Sequence, residues 1–412
     1  GIAHRADHPA ADRRNQTYVS VGAVNARGII QNNDLDRYNF SVRNTTSMLN
    51  DKLTMDLSFM YSNVKEQNML SQGEYANPLV PVYLFPRGDD FSKYQYYERY
   101  DVDRNIKTQF WPLKENGLSM QNPYWITNRN MYTNKKDRFL ASGSLKYTIT
   151  DWLNVSGRVK LDKETINSEK KMYASTLNVI AENSDKGAYV QSNKNTSQIY
   201  ADAMLNINKY FYHDTWNLTA SLGASLLDLD YKELNFGGGL LTIPNLFTSN
   251  NANVSGKLTY KNTNYHDRTN SLFGTFSLGY KGMVYVDCSL RNDWISALAG
   301  TNHSSILYPS IGASAILTNM FTMKSNILSY AKVRLSYSEV GNAPERFRAI
   351  TTYAVLGGLN TTSYFPIKDL KPERTHSWEG GFNLGLFDNK LTLDVTASCQ
   401  YAAENAVLHS PG

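Results

Sequence analysis

Hydrophobicity in this chain repeats every second residue. Leu53, Met55, Leu57, Phe59 and Tyr61 alternate with Thr54, Asp56, Ser58, Met60 and Ser62. Phe139, Ala141, Gly143, Leu145, Tyr147 and Ile149 alternate with Leu140, Ser142, Ser144, Lys146 and Thr148. Leu153, Val155, Gly157, Val159 and Leu161 alternate with Asn154, Ser156, Arg158 and Lys160, and a fourth run from Trp216 to Leu226 behaves alike. Successive strand side chains point to opposite faces, so each run has one apolar and one polar face. The same reading covers 16–24, 37–43, 199–208, 270–280, 283–291, 310–317, 330–338, 377–386 and 390–397. About thirteen strands result, many near the 9–11 residues that a tilted strand needs to cross a bilayer.

The connections carry a second signal. Short ones (49–52, 150–152, 210–215, 281–282, 387–389 and the longer 318–329) alternate with long polar ones at 63–138, 162–198, 228–269, 292–309 and 339–376. Tight turns at one end and long loops at the other are the pattern of an antiparallel transmembrane β-barrel. Soluble sandwiches, jelly rolls and propellers also alternate. Their strands average about five or six residues, however, and structureless loops of about 30 to 75 residues are uncommon in them. No blade-length repeat is present.

Composition agrees where it bears on this reading. The 28 Tyr residues, with 16 Phe and 6 Trp, suit a protein with two membrane interfaces. A mean hydropathy of −0.46 does not count against it, because only every second residue of a strand faces lipid. No run of about 18 apolar residues exists for a transmembrane helix. Net charge is only +5 and no basic tract marks a nucleic-acid surface. Cys288 and Cys399 are too few for a disulfide framework, and Cys288 falls in the apolar set beside Asp287.

Charges avoid the apolar set. Asp56, Arg158, Lys160, Asp202, Asp287, Lys332, Arg334 and Asp394 all fall in the other one. A Lys or Arg on the lipid face near the midplane would cost about 2–4 kcal/mol. These residues are therefore expected to line a wet lumen, or in a soluble sheet to form its solvated face.

Chemistry is sparse. His4 and His8 are four apart with no third ligand nearby and are expected in a disordered tail; the other five histidines are isolated. The segment from Asn235 to Leu241 lacks the context of a phosphate loop. Neither an enzyme nor a cofactor is expected. Loop 63–138 carries Tyr94, Tyr96, Tyr97, Tyr100 and Trp111 among Asp, Arg and Asn. Such rings suit sugars or extended peptides; the alternative is that they pack the loop onto itself.

Several segments resemble the SusC/RagA family of TonB-dependent transporters. They are VSVGAVNARGIIQNNDLDRYNFSVR near the start, NPYWITNRNMYTNKKDRFLASGSLKYTITDWLNVSGRV, and VYVDCSLRNDWISAL. LYPSIGASAILTNMF, KVRLSYSEVGNAP and DLKPERTHSWEGGFNLGLFDNKLTLDVT follow in the family's order, so the resemblance runs from about Gln16 to Thr396. It implies a 22-stranded barrel in the outer membrane of a Gram-negative bacterium, importing oligosaccharides or peptides. It further implies a SusD-like surface lipoprotein over the extracellular loops and contact with TonB through a plug. No signal peptide, plug or TonB-contacting segment is legible, so a fragment is expected, also missing C-terminal strands. Residues 1–15 are expected as an atypical or disordered segment, 16–397 as the partial barrel and 398–412 as an atypical tail. A passive porin or adhesin barrel, and a soluble carbohydrate-binding β protein, remain as rival readings.

Overall fold

Fourteen antiparallel strands form one sheet in the computed structural model. It describes residues 2–11, 14–69, 73, 75–112, 120–253, 260–321, 327–348, 353–355, 359–361 and 370–403, with only the backbone of 2–11, 260, 353–355 and 359–361. The strands are β1 (Ile2–Ala11), β2 (Asn15–Arg27), β3 (Asp34–Met48), β4 (Leu53–Gln67), β5 (Glu98–Asp101), β6 (Ile106–Gln109), β7 (Asn130–Thr150), β8 (Leu153–Tyr173) and β9 (Gly187–Phe211). They continue with β10 (Trp216–Gly239), β11 (Tyr260–Tyr280), β12 (Val284–Ile295), β13 (Ser305–Ile316), β14 (Leu328–Asn342), β15 (Tyr353–Val355), β16 (Leu359–Thr361), β17 (Glu373–Leu386) and β18 (Leu391–Ala403). β5–β6 and β15–β16 are separate hairpins; the other fourteen pair with their chain neighbours in sequence order. Among the described residues β1 and β18 each pair on one side only. Three short helices, α1 (Leu79–Leu84), α2 (Pro123–Arg129) and α3 (Leu317–Met320), lie between strands.

All thirteen strands read from the sequence are present, and the fourteenth is β1. Residues 1–15, expected as atypical or disordered, hold this strand, paired with β2 from Ile2 opposite Asn25 to Ala11 opposite Gln16. Pairing uses backbone N–H and C=O groups, so a strand can form without alternating side chains. The side chains of His4 and His8 lie outside the described residues. At the other end β18 runs to Ala403, six residues into the stretch read as a tail; 404–412 lie outside the described residues.

Register sorts the side chains by face. Asp56, Ser144, Arg158, Asp202, Ser225 and Ser271 form one continuous row across six strands. The neighbouring row is Leu57, Gly143, Val159, Ala201 and Leu226. Leu57, Leu145, Val159, Leu222, Leu272, Ile311 and Leu335 stand exposed on the apolar face. An exposed apolar sheet of this extent is an aggregation surface in water and a fitting surface in lipid. Rings gather near its borders: Trp216 meets Tyr280 at 4.6 Å towards the short turns, and Tyr337 meets Trp378 at 4.7 Å towards the long loops. Three of the short turns, 49–51, 212–214 and 387–389, each hold three successive residues at positive φ. Asn and Asp, which tolerate that conformation, fill Asn50, Asp51, Asp214, Asp388 and Asn389.

The strands are longer than the alternation indicates. β7 to β10 have 21, 21, 25 and 24 residues. The connection read as 162–198 shrinks to 174–186. The fully buried side chains, including Trp125, Leu177 and Leu298, lie at the long-loop end. The sheet is thus a thin wall, and the dry core belongs to the loops above it.

Candidate functional site

The loop between β4 and β7 folds around the segment from Asn122 to Trp125. Asn122 caps α2: its Oδ1 accepts from Tyr124 N at 2.8 Å, and Pro123 follows at a position with no N–H to satisfy. The Nδ2 of Asn122 donates to Tyr94 O at 2.8 Å and Phe110 O at 2.9 Å, tying three parts of the loop together. Trp125 is almost fully buried, and its Nε1 donates to Thr176 Oγ1 at 3.0 Å in the next long loop. Gln109 Nε2 donates to Ser175 O at 2.5 Å, and Leu177 N donates to Gln121 Oε1 at 3.1 Å. A third loop joins through Asn245, whose Oδ1 accepts from Ala174 N at 2.7 Å. Gln109, Gln121, Asn122, Ser175 and Thr176 are buried, and burial makes each satisfied bond costly to break. These three long loops therefore form one folded body.

The five rings singled out in the sequence divide into two kinds, with Tyr100 exposed like Tyr96. Tyr94 and Trp111 are buried at 9% and 6% exposure and do not offer faces to a ligand. Tyr94 stacks on Phe110 at 5.2 Å, and both Tyr94 and Trp111 pack against Phe85 at 5.6 and 5.7 Å. Loop self-packing, the alternative reading, accounts for these two, since a loop of this length needs its own core to hold a shape. Tyr96 is exposed at the surface, and Tyr97 lies half-buried near the Arg129 guanidinium. Glu98 beside it accepts from Lys107 Nζ at 2.7 Å and from Arg129 Nη2 at 2.6 Å. Burial alone would raise the Glu98 pKa, but these two cations outweigh it and hold the carboxyl below its ordinary value.

A cavity of about 670 Å³ opens where the loop body meets the heads of β7 and β8. Ile126 of α2, Met131 of β7, Met172 of β8 and Ile180 of the next loop form its apolar wall. The turn between β2 and β3 closes one side and is stitched on: Asn32 Nδ2 donates to Thr127 O at 3.1 Å and Asn33 Nδ2 to Asn68 O at 2.7 Å. Lys170 also lines the cavity, nine positions past Leu161, where the outward apolar run of β8 ends. Burial pushes its amine below the ordinary lysine value, against a weaker upward pull from Glu182. The sequence reading missed these residues. Asn122-Pro123 carries a helix-start signal, whereas nothing local marks Lys170 or the buried glutamines.

The charged residues expected in a lumen share one face by register. Arg158 Nη2 meets Asp202 Oδ2 at 2.8 Å, Arg43 Nη2 meets Asp56 Oδ2 at 2.8 Å, and Arg334 Nη2 meets Asp394 Oδ1 at 2.8 Å. Lys160, Asp287 and Lys332 lie on the same face opposite Ser142, Gly312 and Ile316. Among the described residues no three His, Cys, Asp or Glu side chains gather as a metal site.

A sheet with one lipid-facing and one charged face, short turns below and a folded loop body above, defines the wall of an outer-membrane β-barrel. The family model described as TonB dependent receptor-like, beta-barrel matches residues 81–397, and the chain belongs to that family, one of receptors in the outer membrane of Gram-negative bacteria. No curated protein matches the sequence. The fold is similar to that of the RagAB peptide transporter, with TM-score 0.73 at 16% identity over 97% of this chain and 44% of that one. That match agrees with the SusC/RagA motifs. It is also similar to the siderophore receptor PiuA from Acinetobacter baumannii (TM-score 0.56, 12% identity, 96% of this chain and 54% of that one). For the ferric-catecholate import receptor Fiu of E. coli K12 the values are 0.54, 10%, 96% and 56%. The chain thus spans about half the length of these receptors.

Proposed function

We propose that this chain is the barrel portion of an energy-coupled importer of oligosaccharides or peptides across the outer membrane. One observation carries the reading: a single charged face runs up the wall to a rigid loop body that holds a cavity. In this reading Asp56, Arg158, Lys160, Asp202, Asp287, Lys332 and Arg334 line the lumen, and Tyr96 and Tyr97 contact ligand at the surface. A SusD-like lipoprotein covers the loop body, and a plug carried by the whole receptor links it to TonB. The Arg–Asp pairs on this face support the reading, because charges gathered on the face away from lipid mark a hydrated one.

Uptake in the source bacterium tests it. Disrupting the receptor gene is expected to abolish uptake of either a labelled tripeptide or a labelled maltohexaose, and a protonophore to stop the same uptake in the wild type. Uptake that survives the protonophore would identify a passive pore instead. Comparing the two labelled compounds separates the two substrate classes.

A further inference from the structure

We infer that the 670 Å³ cavity at the head of β7 and β8 is a subsite for the apolar carboxy-terminal end of a peptide. The inference rests on the import reading and narrows its ligand. The volume lies in the range of ligand pockets, about 300–1,000 Å³. Met69, Met131 and Met172 face into it together with Ile126 and Ile180. Unbranched thioethers adapt to side chains of different shape, which suits a site that takes many sequences. A sugar needs aromatic faces and a dense set of hydrogen-bonding groups, yet Tyr132 is the one aromatic ring among the described residues of this lining.

The polar groups define the other end of the ligand. Trp125 Nε1 donates to Thr176 Oγ1, and Thr176 Oγ1 donates to Asn130 Oδ1 at 2.7 Å. This relay occupies the acceptor of Asn130, so its buried Nδ2 is left as a donor without a partner among the described residues. A buried donor without an acceptor is costly unless something supplies one. Lys170 is a second donor. It makes no hydrogen bond or ion pair among the described residues, Glu182 included. The Lys170 amine in the lining and the buried, unpartnered Asn130 amide beside an apolar wall match a carboxylate carried on an apolar body. Glu182 offsets the charge of Lys170, so one carboxylate fits better than a polyanion. Gln31, also in the lining and exposed, suits the amides of a peptide rather than the plain chain of a fatty acid.

The test uses the full-length receptor in detergent and isothermal titration with three probes: acetyl-trileucine as the free acid, the same peptide as its amide, and laurate. The acid is expected to bind roughly ten- to a hundredfold tighter than the amide, the effect of one charge-assisted contact. Lys170→Met should erase that difference while the receptor stays folded, since it removes a desolvated charge and keeps the volume. Ala76→Phe, which fills the cavity, should weaken acid and amide alike. Equal binding of acid and amide by the wild type, an unchanged preference in Lys170→Met, or no binding by any probe would overturn the assignment. Laurate binding tighter than the peptide acid would overturn it in favour of a fatty acid. Energy-dependent uptake that persists alongside any of these results leaves the import reading standing without this subsite.

Discussion

β8 is one unbroken strand with two chemistries. Up to Leu161 its outward residues are Leu153, Val155, Gly157, Val159 and Leu161; beyond it they are Lys163, Thr165, Asn167, Glu169 and Lys171. Its pairing with β7 and β9 continues through both halves. In the lower half, lipid on one side and water on the other write a period of two into the sequence. In the upper half water wets both sides, and the outward face becomes a ladder of polar contacts. Thr165 Oγ1 donates to Asn195 Oδ1 at 2.8 Å, and Tyr61 Oη and Asn63 Nδ2 donate to Asp137 Oδ1 at 2.6 and 2.7 Å. The backbone ladder makes the strand, and the side-chain pattern records which solvent each stretch meets.

Above the wall, stability has a different source, and there the largest effect is expected. The loop body has a dry core, so Trp125→Ala should cost about 3–5 kcal/mol of local stability and leave Thr176 without its donor. Hydrogen exchange would show it as lost protection across 75–112, 120–129 and 174–186 with the lower strands unchanged. Equal loss throughout β7 to β10 would break the distinction between a self-supporting loop body and the wall beneath it.

The two halves of β8 themselves are compared by placing one new charge in each. Val159→Arg faces lipid near the middle of the apolar run and should cost about 2–4 kcal/mol. Asn167→Arg, on the same face eight residues on, should stay within about 0.5 kcal/mol. Folding of the receptor into lipid vesicles under urea would read both. Matching costs would mean that the apolar run does not mark the lipid boundary on β8.

The same contrast explains what was legible in the sequence. Strands in the bilayer announce themselves, because a misplaced charge there is expensive at every outward position. Their extensions do not: Lys163 to Lys171 reads as polar loop although it is paired strand. β1 is invisible because its residues do not alternate, although its backbone pairs with β2 along its whole length. In the loop body Asn122-Pro123 gave a local cue for α2. Which ring is buried depends on contacts between distant segments, so Tyr94 and Trp111 looked no different from Tyr96. Gln109 and Ser175, or Trp125 and Thr176, meet across more than fifty residues, and no local pattern encodes such pairs.

The smallest effect distinguishes charge from packing within the loop body. Glu98 lies between Lys107 of β6 and Arg129 of α2, with its side chain 15% exposed. Its folded pKa lies below its ordinary value near 4.5, so its contribution is complete above that value and is lost as pH falls through the lower, folded one. Glu98→Gln should therefore cost about 1–3 kcal/mol of local stability at pH 7. Wild type and variant should converge as pH falls below about 4.5. Limited proteolysis by pepsin in acid and thermolysin at neutral pH, read at the β5–β6 hairpin, follows both. A gap that persists undiminished well below that pH would mean that the Gln side chain disturbs packing rather than charge. A gap absent at pH 7 would mean that Arg129, whose guanidinium also stands 4.9 Å from the Tyr173 ring, holds α2 without the carboxylate. The hairpin would then belong, like Tyr94 and Trp111, to the apolar half of the loop body's stability.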